Sequence, residues 1–281
     1  MNLNDYLKQK RELIDKEILL CLKKEAQHPL SGLYDYCMAA GKRFRPILLV
    51  TSAEMFGKTP AQVMPAAISI ELIHNFSLIH DDLPCMDNDD FRRGHPTCHK
   101  KFGQTDALLG GDGLLIFAFN MLARNAEISE ISSESIVKVV ELFSRAAGHH
   151  GMTGGQVLDM VYQRKEKIEL EALEKIHNSK TAALIIASVT AGGILGGASY
   201  EEIEKLKLYG KNIGLTYQII DDLLDMNEDK ESISFPSVVG EEKARQMAAE
   251  STIEAIEALS IFGSGAQRLK EIATFLLNRE K

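Results

Sequence analysis

DDLPCMDNDDFRRG, residues 81–94, concentrates five aspartates and two arginines in one short run that Pro84 interrupts. Burying that much charge without partners is very costly, so the run either lies in water or meets a strongly charged ligand. A second acidic run, QIIDDLLD, occupies residues 218–225 within an apolar segment. Together the two runs predict a cavity that holds divalent cations between them.

The polar residues of the second run have helical spacing. Four of them lie at i, i+3, i+4 and i+7: Gln218, Asp221, Asp222 and Asp225. On a helix they would project from one face, where three carboxylates repel one another unless cations intervene. A solvated acidic face is the usual explanation of such a pattern, but it fits badly here because isoleucines and leucines lie between the acids.

The composition limits the class of protein. A chain of 281 residues, 45% of them hydrophobic, can build a sizeable core and has the length of one large helical or barrel fold. The net charge of −8 and the lack of a Lys/Arg-rich stripe disfavour nucleic acid as a partner. The four cysteines (Cys21, Cys37, Cys85 and Cys98) form no CxxC pair and follow no secretory signal, which predicts a reduced, cytoplasmic protein.

The predicted secondary structure is helical throughout. No proline occurs between Pro96 and Pro236, and apolar residues recur at helical spacing in residues 136–161 and 170–186. A first helix is predicted over about residues 4–25 and another over residues 66–82. We therefore predict an all-α protein with a single domain over residues 1–281.

One uncharged segment, residues 181–200, is long enough to span a bilayer. It is rich in alanine, glycine, serine and threonine and has few large aliphatic residues. This composition predicts a buried core helix that ends in glycines, and no stable membrane insertion.

Three motifs allow two interpretations each. GKRFRP, residues 41–46, places three cations before a helix start at Pro46, which suits a phosphate but also describes a solvated basic loop. His74 lies two turns before Asp81 and could be a ligand or a satisfied core histidine. Lys180 could extend its ammonium group into the cavity or along the surface.

Two glycines, Gly154 and Gly155, precede Gln156, Asp159 and Gln163, and their small size predicts a close helix contact. Residues 87–90 resemble the start of a calcium-binding loop. That interpretation fails because the glycine at the sixth position and the final glutamate are missing.

The order of these motifs resembles one family. DDLPCMDNDDFRRG and DDLLD, with GKRFRP before them and Lys180-Thr181 between them, are similar to the motifs of the trans-isoprenyl diphosphate synthases, particularly bacterial farnesyl and plant-type geranylgeranyl diphosphate synthases. The resemblance extends over about residues 41–240. It implies a large helical bundle of isoprenoid synthase type around a central catalytic cavity, and a homodimer. It also implies a short-chain prenyltransferase that condenses isopentenyl diphosphate with dimethylallyl or geranyl diphosphate.

The resemblance also implies roles for the matching positions. Magnesium, as three ions once diphosphate is bound, is expected at Asp81, Asp87, Asp221, Asp222 and Asp225. The allylic diphosphate is expected at Arg92, Lys180, Thr181 and Gln218. Isopentenyl diphosphate is expected at Lys42, Arg45, His74 and Arg93. The expected catalytic residues are Asp81, Asp82, Asp87, Arg92, Lys180 and Asp221.

Chemistry explains why these residue types are needed. Breaking the allylic C–O bond produces a carbocation and frees diphosphate, whose charge must be neutralised by magnesium and by lysine or arginine donors. Carboxylate oxygens suit magnesium, a hard ion. Isopentenyl diphosphate must keep its own C–O bond, so its separate site supplies cations without magnesium.

Product length is expected to depend on Phe76 and Ser77, which match the floor of the family's pocket for the growing chain. The bulky ring of Phe76 and the inserted Pro84-Cys85 pair predict fifteen-carbon farnesyl diphosphate. The sequence DDLPCMDND is closer to plant enzymes that make twenty-carbon geranylgeranyl diphosphate, which stays the alternative.

Two other classes of protein share parts of this pattern. A class I terpene cyclase shares an aspartate-rich motif and an all-α fold but lacks the basic isopentenyl site. A non-catalytic partner subunit of a heteromeric synthase would have lost aspartate motifs, which are intact here. One departure keeps the partner-subunit alternative open. The loop after Asp225 is short, Ser232 replaces the family's lysine, and only Lys230 lies nearby, so we expect weakened binding of the allylic substrate.

Overall fold

The computed structural model describes residues 1–128, 130–162, 168–226 and 234–279. Over these residues it has fourteen α-helices and one short antiparallel hairpin. The helices are α1 Leu3–Lys24, α2 Ser31–Met38, α3 Phe44–Met55, α4 Pro60–Asp81, α5 Cys98–Phe102, α6 Gln104–Ala123, α7 Ser133–Ala147, α8 Met152–Tyr162, α9 Leu170–His177, α10 Ala183–Gly196, α11 Tyr200–Asp225, α12 Phe235–Val239, α13 Glu241–Ala258 and α14 Gln267–Leu277. The hairpin pairs β1 Phe91–Arg92 with β2 His95–Pro96. The all-α prediction is confirmed.

Backbone contacts divide the chain into two compact units. Unit 1 comprises Met1–Ile47 and Ala61–Ile136, and unit 2 comprises Leu48–Pro60 and Val137–Lys281. The prediction of one domain over residues 1–281 stays a prediction.

Helix α4 forms the core of unit 1 because it is apolar on almost every side. Its buried residues include Ile70, Leu72 and Ile73, whose side chains are fully enclosed. The helix begins at Pro60, six residues before the predicted start. Pro65 lies inside the helix and removes one backbone donor, but it does not stop the helix in this packed setting.

Helix α1 is amphipathic, as predicted, and covers about the expected residues. Asn2 caps its first turn by accepting a hydrogen bond from the Asp5 N–H at 2.9 Å. Its buried stripe includes Tyr6, Ile14 and Ile18, while charged residues occupy the exposed face. The helix therefore packs as an outer layer of unit 1.

Helix α6 lies against α4 at a point where only glycine fits. A Cβ at Gly111 would lie 2.2 Å from His80 Nε2, so the missing side chain permits the close approach. Other positions of α6 leave Leu108, Leu109 and Ile116 exposed, Ile116 by 71%.

Unit 2 is organised around α11, which packs between α10 and α13. Ser199 and Glu202 form a capping box that starts α11, and its preceding helix α10 ends where Gly197 adopts φ 87°. Helix α10 is apolar all round and mostly buried, so the predicted core helix ending in glycines is confirmed.

The predicted apolar period over residues 136–161 is not one helix. It is divided into α7 and α8, with turns at residues 148–151 that contain Gly148 and Gly151. The glycines allow the chain to fold back on itself: a Cβ at Gly151 would lie 2.1 Å from the Ala146 carbonyl oxygen. Apolar residues recur at helical spacing on both sides of the break, because α7 and α8 each bury one face.

Two described helical segments are long and apolar enough to cross a membrane by length and composition, residues 104–127 and residues 170–196. In the most apolar part of the second, 61% of the residues are buried, compared with 39% in the first. The uncharged segment predicted from the sequence, residues 181–200, overlaps only the second.

Candidate functional site

The aspartate-rich run forms a loop that folds back onto the end of α4. The Asp87 N–H donates to the Asp81 carbonyl oxygen at 2.9 Å, and the Asn88 N–H donates to the Leu83 carbonyl oxygen at 3.2 Å. Asn88 has φ 55°, a left-handed conformation that asparagine tolerates better than most residues. The loop brings Asp81, which is half-buried, next to Asp87, which is exposed.

Asp82 points away from this pair and holds Arg92 on strand β1. Arg92 Nε lies 2.8 and 3.0 Å from the two Asp82 carboxylate oxygens, and Arg92 Nη2 lies 2.6 Å from Oδ1. Asp82 is only 3% exposed, so both of its oxygens are occupied by the guanidinium. The predicted catalytic residue Asp82 is therefore placed as an anchor for Arg92.

Arg43, one of the three cations of GKRFRP, is buried in the core of unit 1 and forms hydrogen bonds there. Its guanidinium donates to Asp15 at 2.7 Å, to Glu71 at 2.8 Å and to the Met38 carbonyl oxygen. Arg43 is 2% exposed and has φ 52°. The expected cradle of three cations is thus reduced to Lys42 and Arg45.

Gly41 is required beside this buried network. A Cβ at Gly41 would lie 2.7 Å from Arg43 Nη1 and 3.4 Å from Glu71 Oε1. Lys42, in contrast, is exposed, and Arg45 is half-buried in the first turn of α3. The buried arginine therefore fixes the loop from which Lys42 and Arg45 extend.

His74 lies where the arginines of unit 1 converge. Burial lowers the pKa of His74 well below its ordinary value, and the positive charges of Arg45, Arg93 and Arg92 lower it further. The imidazole is therefore neutral near pH 7. His74, Arg45 and Arg93, which were predicted as one site, are brought together within unit 1.

The two residues predicted to limit chain length lie one turn before the aspartate loop. Phe76 is buried, and its ring contacts the His80 ring edge-on with centroids 5.1 Å apart. Ser77 Oγ donates to the His74 carbonyl oxygen at 2.9 Å. His80 Nε2 in turn lies 3.0 Å from the Leu108 carbonyl oxygen on α6.

In unit 2, Lys180 and Thr181 lie in a π-helical turn, Asn178–Ala182, between α9 and α10. Such turns are rare in proteins as a whole, but those that occur are often found at functional sites. Lys180 Nζ pairs with Asp159 Oδ2 on α8 at 2.6 Å. A Cβ at Gly155 would lie 2.3 Å from the Lys180 backbone nitrogen. The predicted close contact is confirmed at this glycine, while Gln163 lies outside the described residues.

A chain of hydrogen bonds connects the π-helical turn to the second aspartate run. Thr181 Oγ1 donates to Gln218 Oε1 at 3.0 Å, and Gln218 Nε2 donates to Asp222 Oδ1 at 2.8 Å. The Phe235 N–H donates to Asp222 Oδ2 at 2.8 Å. Burial raises the pKa of Asp222 to about 6, although these two donors oppose the shift. Both Asp222 oxygens are therefore occupied by protein donors.

The other two acids of this run have different surroundings. Asp221 forms an ion pair with Arg279, which follows α14 near the end of the chain. The Arg279 guanidinium carbon lies 4.4 Å from the centre of the Tyr217 ring. Asp225 is exposed.

Sequence reasoning missed several of these partners. Asp15, Glu71 and Arg279 carried no local signal, because each pairs with a residue at least 28 positions away. Lys230 and Ser232 lie outside the described residues. Within the ranges that the structure describes, no three histidine, cysteine, aspartate or glutamate side chains form a ready metal site.

Comparison with known proteins gives consistent matches. The family model described as polyprenyl synthetase matches residues 27–238. The chain is 41% identical over 257 residues to a chloroplastic geranylgeranyl pyrophosphate synthase from Catharanthus roseus, covering 86% of this chain and 71% of the relative. It is 39% identical over 275 residues to the large subunit 1 of a heterodimeric geranylgeranyl pyrophosphate synthase from Arabidopsis thaliana, covering 92% and 74%.

A solved structure is similar over nearly the whole chain. The apo crystal structure of an FPP/GFPP synthase from Zymomonas mobilis superimposes with a TM-score of 0.88 at 34% identity. The match covers 97% of this chain and 99% of the other.

Proposed function

Because the chain belongs to the polyprenyl synthetase family and is a short-chain prenyltransferase of isoprenoid synthesis, we propose that it condenses isopentenyl diphosphate with dimethylallyl or geranyl diphosphate to give farnesyl diphosphate. Magnesium is the proposed cofactor. The observation that carries the proposal is the convergence of arginines on a neutral His74 in the unit that also presents Asp81 and Asp87. The carboxylates suit a metal-bound diphosphate, and the cations around His74 suit a second diphosphate that is bound without metal.

The acids fit magnesium by their chemistry and accessibility. Asp81 and Asp87 are joined through a backbone hydrogen bond, and their carboxylates are not enclosed by the core. Asp221 and Asp225 are the corresponding candidates in unit 2. Carboxylate oxygens are the ligands that magnesium prefers. When bound, magnesium, as three ions, would neutralise the departing diphosphate and so favour ionisation of the allylic C–O bond.

The remaining residues are proposed to bind and orient the allylic diphosphate. Arg92 is held in one orientation by Asp82, so its outward N–H groups are available without loss of side-chain freedom. Lys180 and Thr181 extend from the π-helical turn, and Gln218 accepts a hydrogen bond from Thr181. Asp222, with both oxygens occupied, is proposed to position Gln218 and the start of α12 as well as to support the metal shell.

Isopentenyl diphosphate is proposed to bind Lys42, Arg45, His74 and Arg93. His74 is neutral and can donate one N–H, while the three cations supply the charge. Without a metal ion the C–O bond of this substrate is not activated, so its double bond acts as the nucleophile. The condensation then forms a carbon–carbon bond, and loss of a proton to the released diphosphate completes the reaction.

Product length has two candidates. Phe76 is buried, and its bulky ring contacts His80 edge-on. A bulky ring at this position supports the fifteen-carbon product. The names of the plant relatives favour twenty-carbon geranylgeranyl diphosphate as the second candidate.

We also propose a cytoplasmic homodimer. The exposed Leu108, Leu109 and Ile116 on α6 supply the apolar face that a second copy would cover. A relative named as the large subunit of a heterodimer supports the other possibility, a partner subunit.

The test is incubation of the purified protein with isopentenyl diphosphate, each allylic primer and magnesium, followed by chromatography of the dephosphorylated products. Asp81→Ala and Asp221→Ala should nearly abolish turnover without changing the helical circular dichroism. Asp90→Ala, in the same loop, should stay active. Failure to make any product alone, with activity restored by a second synthase subunit, would instead establish the partner-subunit function.

A further inference from the structure

A buried threonine and a buried histidine lie next to the aspartate-rich loop. Thr97, between β2 and α5, is 2% exposed, and His99, in α5, is 5% exposed. Their side chains are in contact, since Thr97 Oγ1 lies 3.0 Å from His99 Nδ1. Neither residue has a role in the proposed condensation, so the burial of their polar groups needs another explanation.

The Thr97 hydroxyl does not form the hydrogen bond that is usual for its position. Thr97 is the N-cap of α5, where a hydroxyl normally accepts a hydrogen bond from the first turn of the helix, but it forms no such bond. Instead, Thr97 Oγ1 donates to the Asp89 carbonyl oxygen at 2.7 Å. The Thr97 N–H donates to the Asp90 carbonyl oxygen at 3.0 Å. Thr97 therefore binds the last two aspartates of the loop by their backbone.

The same hydrogen bonds determine which nitrogen of His99 carries a proton. A carbonyl oxygen can only accept, so Thr97 donates its one hydroxyl proton to Asp89. The Thr97 oxygen must then accept from His99, which makes Nδ1 the protonated nitrogen. His99 Nε2 is buried and has no hydrogen-bond partner within the residues that the structure describes. Burying a polar atom without a partner lowers stability, so packing alone does not account for this histidine.

The backbone of the loop is fixed on both sides of the Asp87 carboxylate. On one side, the N–H groups of Asp87 and Asn88 donate to the backbone at the end of α4 and just beyond it. On the other side, Thr97 binds the two aspartates that follow. Magnesium requires its oxygen ligands in a nearly octahedral arrangement at about 2.0–2.1 Å, so a displaced loop would bind the ion more weakly.

We propose that Thr97 and His99 are positioning residues for magnesium binding at Asp87. His99 orients the Thr97 hydroxyl, and the hydroxyl fixes the Asp89 carbonyl group. The fixed backbone then presents the Asp87 carboxylate in one geometry. The magnesium part of this inference rests on the proposed function, whereas the effect of Thr97 on the loop does not.

Amide hydrogen exchange of the metal-free protein tests the effect on the loop. Thr97→Val preserves the shape of the side chain and removes both hydrogen bonds of the hydroxyl. We expect the Asp87 and Asn88 amides to exchange at least about tenfold faster in this variant, because the loop opens more easily. Unchanged exchange of both amides would overturn the proposal.

Thr252→Val is the matched control for the loss of a buried hydroxyl. Thr252, on α13 in unit 2, is 3% exposed, and its hydroxyl donates to the Ala248 carbonyl oxygen at 2.8 Å. It also contacts the Thr216 hydroxyl at 3.2 Å, so it has two partners as Thr97 does. Thr252→Val should leave the exchange of the loop amides and the binding of metal unchanged. Equal effects of the two variants on the loop would mean that a general loss of stability is the cause.

The effect on the metal is measured by electron paramagnetic resonance of Mn²⁺ in the presence of diphosphate. Thr97→Val should weaken Mn²⁺ binding about tenfold, as is typical when the support of a metal ligand is removed. Thr97→Ser keeps the hydroxyl and should restore binding to within about twofold of the wild type. Equal Mn²⁺ affinities of Thr97→Val and the wild type would overturn the positioning role.

His99 provides a second pair of variants. Asparagine has a donor nitrogen at the same distance along the side chain as Nδ1, whereas leucine has a similar size and no donor. His99→Asn should therefore bind Mn²⁺ more tightly than His99→Leu, although both lose the ring. Nitrogen NMR of the wild type at alkaline pH should show a protonated Nδ1 and an unprotonated Nε2 in His99. The opposite tautomer would overturn the proposal even if no variant folds.

Failure of the proposed function would give a different result. If the wild-type protein binds no Mn²⁺ with diphosphate, the magnesium assignment of Asp87 is wrong. Faster exchange of the loop amides in Thr97→Val would still establish that Thr97 fixes the loop.

Discussion

Arg92 donates hydrogen bonds to both carboxylate oxygens of Asp82 over distances of 2.6 to 3.0 Å, and Asp82 is only 3% exposed. The two adjacent aspartates of the aspartate-rich run, Asp81 and Asp82, therefore have two different tasks. Asp81 is half-buried beside the exposed Asp87, whereas Asp82 is buried as the partner of an arginine. At the end of a helix, the side chains of two adjacent residues point in directions about 100° apart. One motif can therefore serve both tasks.

Asp82→Asn should therefore lower stability as well as turnover. The substitution removes the charge of the buried carboxylate that binds Arg92, whose side chain is 33% exposed, and this costs on the order of 2 kcal/mol. The measurement is urea unfolding. Asp90→Asn is the matched control, because its ion pair with Lys100 is exposed and should contribute less than about 1 kcal/mol. Equal stability losses in the two variants would contradict the anchoring role of Asp82.

Gly155→Ala should displace the π-helical turn that carries Lys180 and Thr181. The added Cβ would lie 2.3 Å from the Lys180 backbone nitrogen, a contact that side chains essentially never make. We expect a loss of at least about 2 kcal/mol in unfolding free energy and a higher KM for the allylic substrate. Gly32→Ala, where nothing lies within 4 Å of the new Cβ, should be neutral or slightly stabilising. A fully stable and active Gly155→Ala enzyme would show that the turn adapts freely.

His177 should make stability depend on pH in the acid range. Burial lowers the pKa of His177 to about 4, compared with about 6.5 when unfolded. Between those values the unfolded chain binds the extra proton, so stability is complete above about pH 6.5 and is lost as the pH falls toward 4. The loss is on the order of 3 kcal/mol.

His177→Phe should remove the part of the pH dependence of stability that comes from protonation of His177. The ring already stacks on Phe235 with centroids 5.1 Å apart, so a phenyl ring has a place to pack. The variant should gain stability relative to the wild type at pH 5 and little at pH 8, measured by urea unfolding. His149→Phe, at an exposed site, is the control and should leave the pH profile unchanged. An unaltered slope in His177→Phe would mean that other groups, such as His74, cause the acid dependence.

Arg279 should compete with metal for Asp221. Its guanidinium forms an ion pair with that carboxylate, and a cation must displace it before Asp221 can bind magnesium. Arg279→Gln should therefore bind Mn²⁺ several-fold more tightly in the presence of diphosphate, as measured by electron paramagnetic resonance. Arg268→Gln, which loses an ion pair with Glu271 on α14, should bind Mn²⁺ as the wild type does. Weaker Mn²⁺ binding in Arg279→Gln would indicate that Arg279 supports the diphosphate instead.

Phe76→Ala should lengthen the product. The buried ring occupies space at the helix position expected to limit the growing chain, and its removal opens room for further isoprene units. Chromatography of the products with and without the substitution provides the measurement. Phe102→Ala, whose ring packs against Tyr36, is the control and should leave the chain length unchanged. An unchanged profile in Phe76→Ala would show that another residue forms the floor.

The sequence by itself determined the helical class, the approximate positions of the main helices and the family. Each rests on patterns within a few residues: an apolar period of 3.6, two runs of aspartate at defined spacing, and the small-residue composition of α10. Such patterns record local geometry, since one helix turn brings residues three and four apart onto the same face. The resemblance to the family selected His74, Arg45 and Arg93, and the charges of both arginines act on buried His74 within unit 1.

The tertiary structure decided which charged residues are available. Arg43 and Lys42 are neighbours in the same motif, yet Arg43 is enclosed by Asp15 and Glu71 while Lys42 is exposed. Asp81 and Asp82 differ in the same way. A long-range ion pair depends on which segments meet in the fold and on how completely water is excluded there, and neither is encoded in local spacing. For the same reason the Arg279–Asp221 pair had no sequence signal.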